Sequence, residues 1–415
     1  MTNQGIVVQK YGGSSIANLE RLGKVAEHIK KTWESGKKVV IILSAMGDTT
    51  DELIKLAKAS YGGELPPEED LQDEQNKLLV TGEEQSAPLL ALVLWRLGVP
   101  AVSLTSREIE LETDTNGRVR VIKGVSEIRS FLDQGKVAVV TGFQGIKETT
   151  KMVTILGRGG SDITEIALTA SLGEKYCENY TDVDGIFVVD PWIIPEAKRF
   201  DQISYYQLIE LATAGGGKLM DRAVILAQNL GVEIRVLLSP SFGESTGGTL
   251  VCSGSTLEKM ESFESQPGLV IQKLRMIRIS NIPNEPGIAR KIFVPLNKVN
   301  VVSSIQAPTG KKAEISILCL FSFLDNVLSI LKEVKSESLP GIEITEPTSV
   351  AELTLVDPLM KEYPGYLGRV CQAMGKAEVN IESLSSHGIT IAVVVKETDL
   401  LKAARALAEE FQLVT

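Results

Sequence analysis

The sequence predicts an α/β fold: a mostly parallel sheet sandwiched by helices, followed by two smaller α+β modules. Three observations carry that reading. Up to about residue 250, continuous apolar runs of strand length alternate with stretches of helical periodicity, and runs apolar on both faces belong to parallel sheets covered on both sides. Several of those runs end in glycine and hydroxyl residues, which opens the backbone at the end of a strand. From about residue 262 the pattern becomes an internal repeat, in which Pro286-Gly287 opens a helix leading to Val299-Asn300-Val301 and Pro364-Gly365 opens one leading to Val379-Asn380-Ile381. The expected boundaries are residues 1–250 for the first domain, 251–262 for a linker, and 263–345 and 346–415 for the two modules.

The first strand, Ile6-Val7-Val8-Gln9, runs into Lys10-Tyr11-Gly12-Gly13-Ser14-Ser15. Glycines let backbone N–H groups approach an anion, Lys10 adds a mobile charge, and Ser14 or Ser15 can cap the helix that follows. That helix is marked by Leu19, Leu22, Ala26, Ile29 and Trp33 and closed by Gly36. A plain strand-to-helix turn fits these residues equally well. Residues 39–43 then form a buried strand ending in Ser44-Ala45-Met46-Gly47-Asp48-Thr49-Thr50, and helical pattern resumes at 51–60. A Gly/Pro/Glu-rich loop at 62–70 precedes Thr81-Gly82-Glu83-Glu84, the start of an apolar helix that ends at Gly98. Strand signals return at 101–104 and 137–140.

The densest punctuation is Leu156-Gly157-Arg158-Gly159-Gly160-Ser161-Asp162, opening a helix through Ile166 and Ala170 that Ser161 or Asp162 can cap. An arginine between glycines at a helix start offers a two-pronged donor to a carboxylate or phosphate, or else is a surface arginine on a glycine-rich hairpin. Thr181-Asp182-Val183-Asp184-Gly185 then places two acids at a strand end, suited either to Mg²⁺ on phosphates or to turn formation. In the repeat, each unit reads strand, helix, strand, strand, helix, with strand edges that can pair with each other or with a second chain. No catalytic constellation falls there, so ligand binding or assembly is its expected business.

Composition excludes other classes. The 415 residues are 43% apolar with mean hydropathy +0.09, enough for two or three cores. A net charge of −10 and a pI near 5.1 leave no basic field for nucleic acid. Four scattered cysteines and two histidines give neither a disulfide framework nor a zinc spacing. The N-terminal residues lack a basic region before an apolar one, and the longest apolar runs are strand-sized, so a soluble cytoplasmic protein without a membrane span is expected.

Taken together, Lys10-Tyr11-Gly12-Gly13-Ser14-Ser15, Ser44-Ala45-Met46-Gly47-Asp48-Thr49-Thr50, Gly82-Glu83 and Gly157-Arg158-Gly159-Gly160-Ser161-Asp162, in this order, resemble the signatures of the aspartate kinases. These are amino-acid kinases carrying two C-terminal ACT modules, and the likeness runs from about Ile6 to the last helix. The resemblance implies an amino-acid-kinase-type sheet followed by two ferredoxin-like ACT modules, and phosphoryl transfer from Mg·ATP to the side-chain carboxylate of L-aspartate. It implies Lys10, Arg158 and Asp162 as catalytic residues, and Ser44, Thr49, Glu83, Arg158, Gly159, Gly160 and Ser161 around the substrate. Lys10, Tyr11, Gly12, Gly13, Thr181, Asp182 and Lys218 would serve the nucleotide, with Asp182 on Mg²⁺. A lysine or threonine effector would sit at Asn300, Val301, Gln306, Asn380 and Ile381. The family further suggests a homodimer, or an assembly with a shorter chain begun internally near Met260.

This chain also departs from the pattern. Phe187-Val188-Val189-Asp190-Pro191-Trp192 replaces a run with polar nucleotide contacts, Gly217 stands where a lysine is expected with Lys218 one place on, Glu84 replaces an arginine, and Val302 an acid. The departures predict weak ATP binding or a different purine nucleotide. They also admit a second reading, a paralogue that binds amino acids and partners an active kinase.

Overall fold

The structure, a computed structural model, describes residues 5–216, 219, 221–253, 266–299, 301–309 and 311–415. The chain divides into two compact units, one comprising residues 1–187, 199–213 and 217–264, the other 188–198, 214–216 and 265–415.

The first unit is built on an eight-stranded sheet in the order Gln202–Ser204, Thr249–Cys252, Glu233–Leu238, Tyr176–Thr181, Ile6–Tyr11, Lys38–Leu43, Val137–Thr141, Ala101–Leu104. Every neighbouring pair is parallel except Glu233–Leu238 against Thr249–Cys252. Val39 to Leu43 are wholly buried because helices cover both faces, which is why their sequence is uninterrupted Val/Ile/Leu. On one face the helix Leu19–Glu34 buries Leu22, Val25, Ala26 and Ile29 against Leu90 and Leu94 of the helix Thr81–Arg96. On the other lie the helices Gly160–Ser171 and Asp221–Leu230.

Local chemistry corrects two expected caps. Neither Ser14 nor Ser15 caps the first helix: Gly13–Ile16 form a single 3-10 turn, and Asn18 accepts the Arg21 N–H at 2.9 Å instead. The helix Gly160–Ser171 starts one residue before Ser161, with Gly159 at its cap in the left-handed region (φ 65°) and no side-chain cap. Ser161 and Asp162 therefore lie in the first turn, turned inward rather than spent on the helix end.

A second sheet of four strands, Val119–Ile122, Leu111–Thr113, Gln144–Lys147 and Val153–Ile155, went unread in the sequence, as did the helices Glu69–Leu79 and Val125–Asp133. Its strands of three or four residues are too short to show alternation.

In the second unit the modules share one antiparallel sheet in the order Ser303–Thr309, Lys312–Cys319, Gly268–Pro283, Thr348–Val356, Thr390–Lys396, Ser383–His387. The 16-residue strand Gly268–Pro283 joins them, pairing with Thr348–Val356 through its first half and with Lys312–Cys319 through its second. The repeated Pro-Gly has a physical reason: Gly287 (φ 88°) and Gly365 (φ 102°) cap the helices Ile288–Leu296 and Tyr366–Lys376 from the left-handed region, where a side chain is strained.

Residues 188–198 belong to this second unit although the chain enters them from the first. Val188 donates its N–H to the Lys198 carbonyl (2.9 Å) and accepts from Leu269 N–H (2.6 Å), and Lys198 N–H reaches the Leu413 carbonyl (2.9 Å). Val188, Val189 and Ile194 are buried, while Trp192 is 90% exposed. The apolar departure at Val188 is thus a core residue of this unit. A Val188→Thr substitution is expected to destabilise it by about 1–3 kcal/mol, because the hydroxyl loses water without gaining room for a partner. Thermal unfolding of the variant checks this, and an unchanged midpoint would remove Val188 from the core.

Candidate active site

The ends of the strands Ile6–Tyr11, Lys38–Leu43, Val137–Thr141 and Tyr176–Thr181 are neighbours in the parallel sheet, so the loops that follow them converge at one edge. Strand alternation decides which side chains share a face. Lys10 pairs in register with Asn179, and both face the helix Gly160–Ser171. Lys10 Nζ lies 2.6 Å from Asp162 Oδ1, with side-chain exposures of 12% and 7%. Burial alone would lower the lysine's pKa, but Asp162, Glu165 and Asp182 outweigh it and hold the ammonium above its ordinary value. Lys10 is therefore a fixed cation at the mouth of the glycine turn.

At Gly13 that turn leaves no space for a side chain. A Cβ on Gly13 would stand 2.7 Å from the Ala45 carbonyl oxygen, and Gly47 N–H donates to the Gly13 carbonyl at 3.0 Å, so the two loops are in backbone contact. Opposite them, Ser44 Oγ donates to Ser161 Oγ at 2.9 Å, and a Cβ on Gly142 would meet Ser161 Oγ at 2.5 Å. Ser44, Ser161, Gly142 and the glycine turn thus lie together at this edge of the sheet.

Glu83 is the acid beside the Ser44–Ala45 loop. It is 2% exposed, its Oε1 accepts the Ala45 N–H at 3.0 Å, and its Oε2 is buried with no partner. Burial pushes its pKa up to about 7 against the pull of the backbone donors. A buried acceptor left open is suited to a cationic donor from a ligand.

Other residues divide more sharply. Tyr11 is a correction: one step along the strand from Lys10, its ring points to the opposite face, is fully buried, stacks on Tyr180 at 4.8 Å and donates to Gln9 at 3.2 Å. Only its backbone remains near the turn. Thr49 Oγ1 is committed as a donor to the Met46 carbonyl at 2.6 Å. Thr181 Oγ1 donates to Asp182 Oδ1 at 3.0 Å, beside the end of the strand. Of the two acids there, Asp184 is structural: it accepts from Ser245, from Thr246 through backbone and side chain, from Leu238 N–H and from Arg199. Burial would raise its pKa, yet these donors hold it down at about 2.

Arg158 is exposed, with no hydrogen bond or ion pair of its guanidinium among the described residues, on a loop with Gly157 at φ 83° and Gly159 at φ 65°. Lys218 and Asn300 lie outside the described residues, as do Met260 and the linker from 254, and of Gln306 only the backbone is described. Val301 and Ile381 are half-buried and Asn380 exposed, each within the second unit.

Three contributors escaped the sequence reading. Arg222 donates from Nη1 to the Leu156 carbonyl (2.7 Å) and from Nη2 to the Gly117 carbonyl (2.8 Å), clamping the loop that carries Arg158. Asn179 Nδ2 bridges Asp162 Oδ1 (2.9 Å) and Glu165 Oε2 (2.7 Å). Glu165 itself was hidden in a helical run, although a carboxylate three residues past Gly-Ser-Asp on a buried helix face was a readable anomaly.

Residues 5–237 match the family model for the amino acid kinase family, and residues 353–411 that for an ACT domain. The chain is 36% identical to the aspartokinase of Corynebacterium efficiens, over 98% of this chain and 96% of that one. It is 35% identical to the aspartate kinase of Pseudomonas fluorescens, over 98% of each. Among solved structures it is similar to the aspartate kinase of Clostridium acetobutylicum, with a TM-score of 0.76 and 25% identity over 98% of this chain and 100% of that one. E. coli aspartokinase III in complex with aspartate and ADP shares the fold, with a TM-score of 0.70 and 21% identity over 98% and 99% of the two chains.

Proposed function

This chain belongs to the amino acid kinase family, and from that membership we propose how its residues divide the work of an ATP-dependent aspartate kinase. The reaction moves the γ-phosphoryl group of ATP to the side-chain carboxylate of L-aspartate, at the entry to amino-acid biosynthesis toward lysine, threonine and methionine. A carboxylate is already an ionised nucleophile, so no general base is needed; the task is to hold two mutually repelling anions together.

Lys10, fixed by Asp162, neutralises the transferring phosphoryl group. Gly12 and Gly13 bring backbone N–H groups to the nucleotide phosphates, with Ser44 beside them. Arg158 pairs with the α-carboxylate of aspartate, Ser161 and the backbone of Gly159 and Gly160 contact the substrate, and Glu83 receives the α-ammonium. The observation that carries this division is the unpartnered, buried Oε2 of Glu83, an acceptor that a substrate ammonium completes. Among the described residues no cluster of three or more His, Cys, Asp or Glu could hold a metal by itself. That fits Mg²⁺, which takes one or two carboxylates and shares the rest with phosphates, so Asp182, with Thr181 beside it, would hold the ion. When bound, the ion supplies further neutralisation of phosphate charge. The direct test is ADP release with L-aspartate against a panel of amino acids; release with another acceptor and none with aspartate would overturn the assignment.

The acid side of the pH profile follows from Glu83. Its raised pKa of about 7 means that it is increasingly neutral below that pH, and a neutral carboxyl gives the ammonium no ion pair. The KM for aspartate is expected to rise about tenfold per pH unit below 7 while the KM for ATP moves little. In Glu83→Gln the KM should be high at every pH and flat through this range. A wild-type KM constant between pH 7.5 and 5.5 would place the ammonium elsewhere.

Val301, Gln306, Asn380 and Ile381 with Asn300 form the proposed site for a small amino-acid effector. Val302, 37% exposed, offers no carboxylate to its ammonium, so inhibition by lysine or threonine is expected to be weak. Inhibition titrations check this, and cooperative sub-millimolar inhibition by both would overturn it. No helix of the described residues is long and apolar enough to cross a membrane, in keeping with a cytoplasmic enzyme. Its proposed assembly is a homodimer, or a pairing with a short chain begun near Met260, which sedimentation of the purified protein resolves.

A further inference from the structure

The buried carboxyl of Glu165 has no part in the division of labour above, yet it lies one side chain away from Lys10. The helix Gly160–Ser171 turns Asp162 and Glu165, three residues apart, onto the face that packs on the first strand. Asn179, in register with Lys10 on the neighbouring strand, spends both hydrogens of one amide on the two carboxyls, at 2.9 Å to Asp162 Oδ1 and 2.7 Å to Glu165 Oε2. Glu165 is completely buried, and its other oxygen, Oε1, has no partner.

We propose that Glu165, held by Asn179 behind the Lys10–Asp162 pair, is a positioning residue that leaves Lys10 available to phosphate only while it keeps its proton. With Glu165 protonated, one lysine faces one carboxylate and the cluster is neutral, so an arriving phosphoryl oxygen finds Lys10 with charge to give. When Glu165 releases its proton to solvent, the cluster carries one net negative charge in a site with little water. That charge draws Lys10 inward and repels the phosphate. Both effects oppose transfer and neither needs a change of fold. The inference rests on the reading that Lys10 serves the transferring phosphoryl group.

The surroundings single out Glu165 as the group that titrates. Facing it are Lys10 on the first strand, Asp162 on its own helix and the Cys177 thiol on the strand Tyr176–Thr181. Other charges on elements packed against the helix are engaged elsewhere: Lys38 with Asp133, Lys147 with Glu69 and Asp73, Arg120 with Asp114, and Arg222 with backbone carbonyls. The helix Asp221–Leu230 buries Ala223, Val224 and Ala227 there. Burial, against the pull of Lys10, pushes Glu165 up to about 8. Lys10 is held above its ordinary value and Cys177 well above its own, so both titrate at higher pH than Glu165.

The test compares wild type with Glu165→Gln, which is isosteric and neutral at every pH. In the wild type, kcat/KM for ATP at saturating aspartate should fall about tenfold per pH unit above 8, and in the variant the ratio of rates at pH 9 and pH 7 should rise toward one. Affinity for a non-hydrolysable ATP analogue by calorimetry should show the same alkaline loss in the wild type and not in the variant. Infrared spectra of the wild type should carry two protonated-carboxyl components, one lost near pH 7 with Glu83 and one lost around pH 8 with Glu165, and only the second should be missing from the variant. A wild-type spectrum without a component that titrates around pH 8, or an alkaline limb that persists in Glu165→Gln, overturns the proposal even if the variant folds poorly, since the first measurement needs only the wild type. Absence of aspartate-dependent ADP release at every pH would instead overturn the functional reading, while the infrared and ATP-analogue arms still decide the role of Glu165.

Discussion

Replacing Lys10 by methionine is expected to lower kcat by about 1,000-fold, with the KM for aspartate changed only a few-fold. The size follows from where the charge sits. Removing one preorganised donor from a water-poor site costs roughly 100- to 1,000-fold in mutated hydrolases, and a full buried cation lies at the upper end of that range. Methionine keeps the volume of the stem, so little of the loss would come from packing. The variant leaves Asp162 buried with Asn179 as its remaining donor, a further penalty on an approaching phosphate because the site is now net negative. Steady-state ADP release, with circular dichroism to verify folding, gives the answer. A fall of less than tenfold would mean that Lys10 does not contact the transferring group, and the Lys10–Asp162 pair would have to be structural.

Fold class was legible because burial on both sides of a sheet writes itself into sequence as uninterrupted apolar runs. Residues 39–43 and 137–140 announced their strands for that reason, and both are interior strands, paired on each side. The four-stranded sheet around Leu111–Thr113 was not legible, since strands of that length contain less than two periods of alternation. In the site, loop residues were the readable part. Glycines such as Gly13 and Gly159 are placed by steric need, and that need shows locally. What sequence could not show was the pairing of distant groups: Arg222 reaches the Leu156 carbonyl across 66 residues, and Asn179 meets Glu165 only because two strands and a helix fix them there. Tyr11 failed for a simpler reason. Adjacency in a motif is not adjacency in space, because a strand sends neighbours to opposite faces.

The departures at 187–192 carry a related lesson. A polar-to-apolar change near a nucleotide motif suggests a weakened site, but Val188 and Val189 are apolar because they are core residues of the second unit. Loss of polarity there is explained by packing, and the consequence for ATP has to be measured rather than read from the substitution. Titrating Mg·ATP into the wild type and a Trp192→Arg variant isolates the one exposed position of the three, since Trp192 changes without disturbing a core.

Arg158→Ala is expected to raise the KM for aspartate by about 100-fold while leaving the affinity for ADP within a few-fold. Truncating one partner of a desolvated, hydrogen-bonded charge pair costs about 2–5 kcal/mol, and 100-fold lies inside that window. The guanidinium is exposed and has no other engagement among the described residues, so its removal breaks no internal contact and should leave stability nearly unchanged. That separates it from most site arginines, whose loss also loosens the fold. Arg222 provides an internal control. It holds the loop through the Leu156 and Gly117 carbonyls without facing the substrate, so Arg222→Ala should raise the same KM by a smaller factor, about tenfold, through misplacement of Arg158, and should lower the thermal midpoint as well. The double variant should then be no worse for aspartate than Arg158→Ala alone, because a clamp has nothing to position once its arginine is gone. Calorimetric titration of aspartate into the three variants measures this directly. An unchanged dissociation constant in Arg158→Ala, or additive losses in the double variant, would show that the two arginines act on the substrate separately or that Arg158 does not act on it.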